Sequence, residues 1–138
     1  MMMPTYTTGI EIAEGDWVRV FVPRLGLWHH GIVRRVYPVW NGCAVEVAHN
    51  MKEFGVTASD WYDFAEGQQP QLHRRASDQA QVLEILARVE CNLGKPYLLF
   101  AQNCEHFASF GFSGKAVSES VNAVGWIAGV AIILRFLE

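Results

Sequence analysis

The chain has 138 residues, of which 51% are hydrophobic and 18% are charged, and its formal net charge at pH 7 is −3. This length is typical of one domain with a sizeable core, and the hydrophobic content excludes a disordered chain. The acidic balance and the scattered arginines exclude nucleic acid as a partner, because phosphate binding along a duplex needs a basic face.

Alternation of apolar and polar side chains predicts strands in the first half of the chain. We expect strands over residues 15–22, 28–37 and 43–49, a short strand from residue 56, and a last strand within residues 69–74. Residues 38–42 are predicted to form the turn between the second and third strands, and residues 60–64 a turn or a short helix.

The second half of the chain has the helical period instead. Apolar residues at helical spacing predict a helix over residues 77–89, with Ser77 as its N-cap. A second helix is expected to begin after Asn103, a preferred capping residue, and to stop at Gly111 and Gly114. Strands followed by helices indicate an α+β domain, in which an antiparallel sheet of about four to six strands packs against helices.

The C-terminal part of the chain is apolar. Residues 121–134 are 14 in number and hold no charged side chain. A membrane-spanning helix needs roughly 17–20 residues, so this predicted third helix is either buried, interfacial or a short span. We therefore divide the chain into a domain over residues 1–118 and a hydrophobic helix over residues 119–138, through which the protein would associate with a membrane surface.

The cysteine pattern indicates which cysteine chemistry the protein has and in which cellular compartment we expect it. Cys43, Cys91 and Cys104 are too few and too dispersed for a disulfide framework, and no CxxC pair supports a zinc site. We expect neither a metal nor a cofactor. The N-terminus lacks the basic and apolar regions of a secretory signal. Free thiols then predict a cytoplasmic protein, with peripheral or C-terminally anchored attachment to a membrane as the further expectation.

Cys104 is the candidate nucleophile among the three cysteines. It follows the predicted N-cap Asn103, and the free N–H groups and dipole of a helix N-terminus lower the pKa of a thiol. Cys43 is predicted to lie in a strand without such help, and Cys91 near a helix C-terminus, where the dipole opposes ionisation. His106 lies two residues after Cys104, about 200° around the helix, and so faces away from the sulfur.

The base is therefore sought among the upstream histidines. His73 lies beside an arginine pair in a segment that we expect to be exposed. Of the adjacent His29 and His30, only one can face the helices, because side chains alternate along a strand. His49 would lie beside that base, and orient it, if the second and third strands are neighbours.

Three segments resemble one known family. Residues 103–107 (NCEHF) resemble the signature of the lecithin:retinol acyltransferase family, which belongs to the circularly permuted NlpC/P60 group of papain-like folds. Residues 15–20 resemble the first strand of that family, and residues 29–33 resemble its H-box. The similarity covers roughly residues 15 to 120 and implies a papain-like α+β fold.

The resemblance also implies roles for single residues. Cys104 takes the position of the catalytic cysteine, His29 that of the general base, and His49 that of the third, orienting residue. His30 stands where the family usually has an aromatic residue, and it is the alternative base. The departure leaves the identity of the base between His29 and His30 open.

The implied reaction is acyl transfer through a thioester on Cys104. The partner would be a phospholipid or another acyl lipid, and the apolar C-terminal helix would bring the site to a membrane surface. Two other functions fit the same motifs. One is a non-catalytic interaction protein, like viral 2A-type proteins with an H-box and an NC motif. The other is a peptidase or amidase of the NlpC/P60 type.

Overall fold

The computed structural model describes residues 2–3, 8–40, 42–96 and 103–115. Its elements in chain order are β1 (Met2–Met3), β2 (Ile12–Ala13), β3 (Trp17–Val22), β4 (Leu27–Val39), β5 (Gly42–Met51), β6 (Gly55–Asp60), α1 (Trp61–Ala65), β7 (Gln71–Arg74), α2 (Gln79–Asn92) and α3 (Cys104–Ser113).

Within the described residues, the main sheet has five strands in the order β6-β5-β4-β3-β7, and β1 pairs with β2 separately. All of the strand pairings are antiparallel. This sheet and the helices beside it confirm the predicted α+β class. Consecutive strands β3 to β6 are neighbours, so short hairpin turns connect the part of the chain that carries the upstream histidines.

The register of β4 brings the histidines next to defined partners. β4 pairs with β3 through residues 27–32 and with β5 through residues 31–39. Across these pairings His30 lies opposite Arg19, and Gly31 lies opposite His49. His49 is therefore a diagonal neighbour of His29, as expected if the second and third predicted strands are adjacent.

The two faces of the sheet carry separate cores. Cluster A contains Val18, Val20, Val33, Val47, Trp61 and Phe64, and it packs α1 against one face. Cluster B contains Trp17, Ile32, Ala48, Ile85, Val89, Phe107 and Phe112, and it packs α2 and α3 against the other face. Neighbouring residues of each strand enter different clusters, because side chains alternate. Each fully buried aliphatic side chain contributes about 1.5–3 kcal/mol to folding.

The start of β3 is held by a buried carboxylate. Asp16 is 1% exposed. Its Oδ2 accepts a hydrogen bond from the Ala13 backbone N–H at 2.8 Å and lies 2.8 Å from Arg75 Nη2. The adjacent Gly15 N–H donates to the Val33 carbonyl oxygen at 2.8 Å, and the Val33 N–H donates to the Asp16 carbonyl oxygen at 2.8 Å. These bonds fix the beginning of β3 against β4.

Two predicted boundaries in the strand and helix pattern are wrong. The turn expected over residues 38–42 is shorter, because Pro38 belongs to β4 and pairs with Cys43. The N-cap of α2 is Asp78, whose Oδ1 accepts from the Gln81 N–H at 2.8 Å. The expected cap, Ser77, instead donates its own N–H and hydroxyl to Gln81 Oε1.

Gly111 does not end α3, contrary to the prediction. The helix continues to Ser113, and Gly114 ends it with a φ of 79°. A Cβ on Gly111 would lie 3.4 Å from side-chain atoms of both Ile32 and Val89. The glycine therefore serves the close packing of α3 on β4 and α2, whereas Gly114 serves the left-handed C-cap.

The predicted hydrophobic helix over residues 119–138 lies outside the described residues. Within the described ranges, no helix has the length and apolar character that crossing a membrane requires.

Candidate active site

Asn103 starts α3 and sets the position of Cys104. The Asn103 side-chain Oδ1 accepts the backbone N–H of His106 at 2.8 Å, and its carbonyl oxygen accepts the N–H of Phe107 at 2.9 Å. Asn103 has extended backbone angles, so Cys104 is the first residue of the helix. The side-chain bond satisfies one of the free N–H groups at the helix N-terminus.

The sulfur of Cys104 lies against the backbone of β4. Its Sγ is 4.0 Å from the carbonyl oxygen of Trp28. The backbone N–H of His30 also acts on the sulfur and lowers the pKa of the thiol. These two groups flank His29 in the chain. The sulfur is therefore placed beside the His29 backbone, on the stretch of β4 that precedes its pairing with β5.

Burial raises the pKa of the Cys104 thiol above its ordinary value. The charge of Glu105 acts in the same direction, while the N–H groups of His30, Glu105 and Cys104 itself oppose it with smaller effects. The expectation that the helix N-terminus lowers this pKa is therefore wrong in its net direction. The N–H groups of Glu105 and Cys104 at the helix N-terminus act in the expected direction, but burial has the larger effect on the pKa of the thiol. At neutral pH the thiol is protonated.

His29 and His49 form a hydrogen-bonded pair that extends to Ser59. His29 Nε2 lies 2.7 Å from His49 Nδ1, and His49 Nε2 lies 2.8 Å from Ser59 Oγ. The sequence had suggested the first of these contacts through strand adjacency. It did not identify Ser59, although the alternation of β6 places Ser59 on the same face as Thr57, the register partner of His49.

The ring of Phe64 covers both histidines of this pair. Its centroid lies 5.3 Å from that of His29 and 5.5 Å from that of His49. Burial lowers the pKa of His29 to about 4 and that of His49 to about 3. Both imidazoles are therefore neutral at neutral pH, and each carries one N–H and one lone pair.

The proton positions along this row have two consistent arrangements. In the first, the N–H of His49 Nε2 donates to Ser59 Oγ, and the N–H of His29 Nε2 donates to His49 Nδ1. His29 Nδ1 then keeps its lone pair and is a base. In the second, the Ser59 hydroxyl donates, every bond reverses, and His29 Nδ1 carries a proton. Ser59 is bonded to His49 in both arrangements, and His29 Nδ1 can accept a proton in the one where the Ser59 hydroxyl oxygen accepts.

His30 occupies the opposite face of β4, toward α3. Its Nδ1 accepts the indole N–H of Trp17 at 3.0 Å, and its Nε2 is 3.8 Å from Glu105 Oε2. Burial lowers the pKa of His30 to about 4. In the neutral ring the lone pair is therefore occupied by Trp17, and the proton on Nε2 faces Glu105. Of the doublet, His30 is the residue that faces α3, whereas His29 lies on the other face, against Phe64 of α1.

The predicted residues are thus brought together in part. Cys104 lies at the backbone of the doublet, and His29 is joined to His49. Within the described ranges, no hydrogen bond connects Cys104 Sγ to the ring of His29 or His30. His73 is exposed and stacks on Trp17, with ring centroids 4.6 Å apart. No metal-binding group of His, Cys, Asp or Glu side chains occurs among the residues described here.

Comparison with known protein families gives a match over most of the chain. The sequence model of the family described as lecithin retinol acyltransferase matches residues 11–117. This range includes every residue of the site, from Trp17 to Phe107, and agrees with the region of similarity predicted from the motifs. A search of curated protein sequences found no match to the chain.

Proposed function

Because the chain belongs to the lecithin retinol acyltransferase family, we propose that it is a thiol-dependent acyltransferase or hydrolase of lipid acyl esters. The membership supports the general class, an enzyme of acyl transfer. The observation that carries the finer proposal has two parts: Cys104 Sγ lies beside the His29 backbone, and the His29 ring is hydrogen-bonded to His49, which is bonded in turn to Ser59.

In the proposed reaction, Cys104 Sγ attacks the carbonyl carbon of an acyl ester. His29 Nδ1 takes the thiol proton, the S–C bond forms, and the carbonyl electrons move onto its oxygen. When they return, the C–O bond of the ester breaks and the alcohol leaves with the proton from His29. Water, an alcohol or an amine then attacks the thioester and gives its proton to His29. The S–C bond breaks, the acyl group leaves on the acceptor, and the sulfur takes the proton from His29 and is a thiol again.

Two observations support His29 over His30 as the base. His30 Nδ1 already accepts a hydrogen bond from Trp17, so His30 has no lone pair to offer. His29 has the arrangement of a base with an orienting partner, because its second ring nitrogen is bonded to His49. This is the logic of a catalytic triad, in which the third residue fixes the tautomer of the second.

The pKa of the Cys104 thiol is raised and that of His29 is lowered, so both side chains are uncharged before the substrate binds. Proton transfer from sulfur to His29 then accompanies attack on the ester, as in a serine triad. It does not precede attack, as in an ion-paired cysteine protease. The sulfur and the His29 ring would then come within hydrogen-bond distance when the ester binds, since catalytic hydrogen bonds are commonly long before that.

The non-catalytic alternative has one observation in its favour. Cys104 Sγ makes its contact with a backbone carbonyl oxygen, and burial raises the pKa of its thiol. A sulfur that serves only packing would have the same surroundings. Turnover of lipid esters separates the two functions.

The test measures release and transfer of a labelled acyl chain from phospholipid, with and without an amine acceptor. We expect turnover by the wild type and by Cys91→Ser, which changes an exposed cysteine. We expect loss of turnover by at least about a thousandfold in Cys104→Ser, because the nucleophile itself is weakened. Equal activity of Cys104→Ser and the wild type would contradict the proposal. An absence of turnover by the wild type with several classes of acyl lipid would contradict it as well.

A further inference from the structure

A buried polar cluster lies on the face of the sheet that α3 covers, on the other side of β4 from the histidine pair. We call it the His30 cluster, and its members are Trp17 of β3, His30 of β4 and Glu105 of α3. Trp17 is 7% exposed and His30 is 4% exposed. The side chain of Glu105 is 12% exposed. The cluster therefore joins β3 and β4 to the first turn of the helix that begins at Cys104.

Trp17 determines which form of the His30 ring the fold accepts. The indole Nε1–H donates to His30 Nδ1 at 3.0 Å, so Nδ1 must keep its lone pair. A proton on Nδ1 would face the indole proton, and the hydrogen bond therefore excludes the charged ring. His30 is neutral while this bond is made, and its one proton is on Nε2.

The charges around the ring act mostly in the same direction. Burial is the largest cause that lowers the pKa of His30 to about 4, and the charge of Glu105 opposes it. Three basic side chains add to the lowering: His73, Arg19 and His29. The electrostatic surroundings and the indole bond thus agree on a neutral ring.

The Nε2 proton of His30 faces the carboxylate of Glu105. His30 Nε2 lies 3.8 Å from Glu105 Oε2, which is longer than a hydrogen bond. The interaction is therefore between an N–H dipole and a charge, and it is stronger in buried surroundings than it would be in water. His30 thus stabilises a negative charge in the first turn of α3.

The charge of Glu105 is important because Glu105 follows the nucleophile in the chain. Burial is the main cause that raises the pKa of the Cys104 thiol, and the Glu105 carboxylate raises it further. A carboxylate beside a thiol disfavours the thiolate, since like charges repel. A donor that holds this carboxylate and screens its charge weakens the repulsion.

We propose that His30 is a positioning residue for the nucleophile: Trp17 fixes its proton on Nε2, and this N–H holds and screens the Glu105 carboxylate beside Cys104. This role rests on the proposed function, in which Cys104 is the nucleophile. It is distinct from the role of His29, which takes the proton, and it gives the second histidine of the doublet a task of its own.

The test measures the rate at which iodoacetamide alkylates Cys104 between pH 7 and pH 9, with peptide mapping to assign the modified residue. This rate follows the thiolate fraction and needs no lipid substrate. We expect Glu105→Gln to raise the rate, because it removes the charge. We expect His30→Phe to lower it about threefold or more, because the carboxylate loses this N–H. The backbone N–H of residue 30, which acts on the sulfur, is kept in His30→Phe.

The double variant separates this role from simple packing. Without the carboxylate the His30 ring has no charge to screen, so we expect His30→Phe to have no effect on the rate in a Glu105→Gln protein. A fall in rate that is equal with and without the carboxylate would overturn the proposal, because the ring would then act by packing alone. An unchanged rate in Glu105→Gln would overturn it as well.

His73→Phe is the matched control, because His73 is exposed and stacks on the same indole, with ring centroids 4.6 Å apart. We expect it to leave the alkylation rate unchanged. NMR of nitrogen-labelled histidine gives an independent readout, since the chemical shifts of the two ring nitrogens differ between tautomers. We expect the His30 proton on Nε2 at pH 7. A proton on Nδ1, or a charged ring at that pH, would contradict the role of Trp17 and overturn the proposal.

The outcomes also separate this role from the proposed function, because neither measurement depends on turnover. Loss of the coupling between His30 and Glu105 removes the positioning role and leaves acyl transfer to its own test. The coupling without any turnover of lipid esters by the wild type supports the control of the thiol and removes the proposed reaction.

Discussion

Cys104 has two opposing influences on its reactivity, and burial is the larger one. The helix N-terminus offers N–H groups to the sulfur, but the side chain is removed from water and its pKa is raised. A protonated thiol beside a neutral imidazole attacks an ester only if the base takes the proton during attack. The proposed chemistry therefore depends on the tautomer of His29 more than on the acidity of the thiol.

Ser59 is hydrogen-bonded to His49, the partner of His29, and its removal should affect the rate without affecting binding. When His29 Nδ1 takes the thiol proton, His49 Nε2 must donate to Ser59 Oγ, so Ser59→Ala removes this bond of 2.8 Å from the charged state that forms during attack. A bond of this kind is worth about 1–1.5 kcal/mol, which corresponds to roughly a tenfold fall in kcat. We expect KM to stay unchanged.

Ser59→Thr is the matched control, because it keeps the hydroxyl and suits a strand. Steady-state kinetics on a phospholipid substrate measures both variants. An equal loss of kcat in Ser59→Thr and Ser59→Ala would contradict a role for the hydroxyl, and a rise in KM alone would indicate a packing role instead.

At the scale of elements, the position on β4 that follows His29 and His30 must hold a small residue, and it is Gly31. A Cβ at this position would lie 2.6 Å from Val47 Cγ1 and 2.9 Å from Phe64 Cε1. Phe64 would have to move, and its ring covers both His29 and His49. The small residue lets α1 close over the histidine pair.

Gly31→Ala should therefore lower both stability and activity. Overpacking of this kind costs about 1–3 kcal/mol, which urea unfolding measures as a shift of the midpoint at constant slope. We expect activity to fall further than the loss of folded protein explains, because the covering ring is displaced. A variant as stable and as active as the wild type would show that the strands relax without moving Phe64.

Much of the element pattern was predictable from local chemistry. Alternation identified β3, β4 and β5, and the helical period identified α2 and α3. The boundaries at Pro38, Ser77 and Gly111 were not predictable, since each depends on a contact distant in sequence or on a choice between adjacent caps. Gly111 is the clearest case, because its neighbours Ile32 and Val89 come from two other elements.

The site was predictable to a similar extent. The NCEHF segment and the histidine doublet named Cys104, His29 and His30 as the residues to examine, and strand adjacency placed His49 near the base. The partners Ser59 and Trp17 were missed because they depend on exact register between strands. The net direction of the thiol pKa was missed because burial is a property of the whole fold. The catalytic roles themselves stay predictions.

At the scale of the whole molecule, three neutral histidines of the described residues, His30 and His49 buried and His29 partly buried, make the fold sensitive to acid. The pKa values of His29 and His30 are lowered to about 4 and that of His49 to about 3, mainly by burial. In the unfolded chain each titrates near about 6.5. As the pH falls below that value, the unfolded state binds protons and the folded state does not, so the free energy of unfolding decreases.

We expect this loss to begin near pH 6.5 and to continue toward pH 4. Each histidine contributes up to about 1.4 kcal/mol per pH unit within that window. Urea unfolding at pH 7 and pH 5 measures the effect, and His49→Gln should reduce the difference between the two. Equal stability at both pH values would show that these rings become protonated in the folded protein.

The two faces of the sheet meet at the site. The histidine pair lies under α1 on one face, and Cys104 begins the helix that packs on the other. The sulfur lies at the strand between them, against the backbone on either side of His29. An enzyme of this design needs both halves of the fold for one reaction, which agrees with a family match that extends over residues 11–117.

The central claim is that Cys104 carries an acyl group during the reaction, and intact-mass measurement tests it most directly. The protein is mixed with a phospholipid that has one isotopically labelled acyl chain, and the reaction is quenched in acid. The mass of the intact protein is then measured, and peptide mapping locates the modified residue. We predict a mass increase of one labelled acyl group on the peptide of Cys104, present in the wild type and in Cys91→Ser and absent in Cys104→Ala. An adduct that persists in Cys104→Ala, or turnover without any adduct on Cys104 under conditions where it would accumulate, would contradict the account.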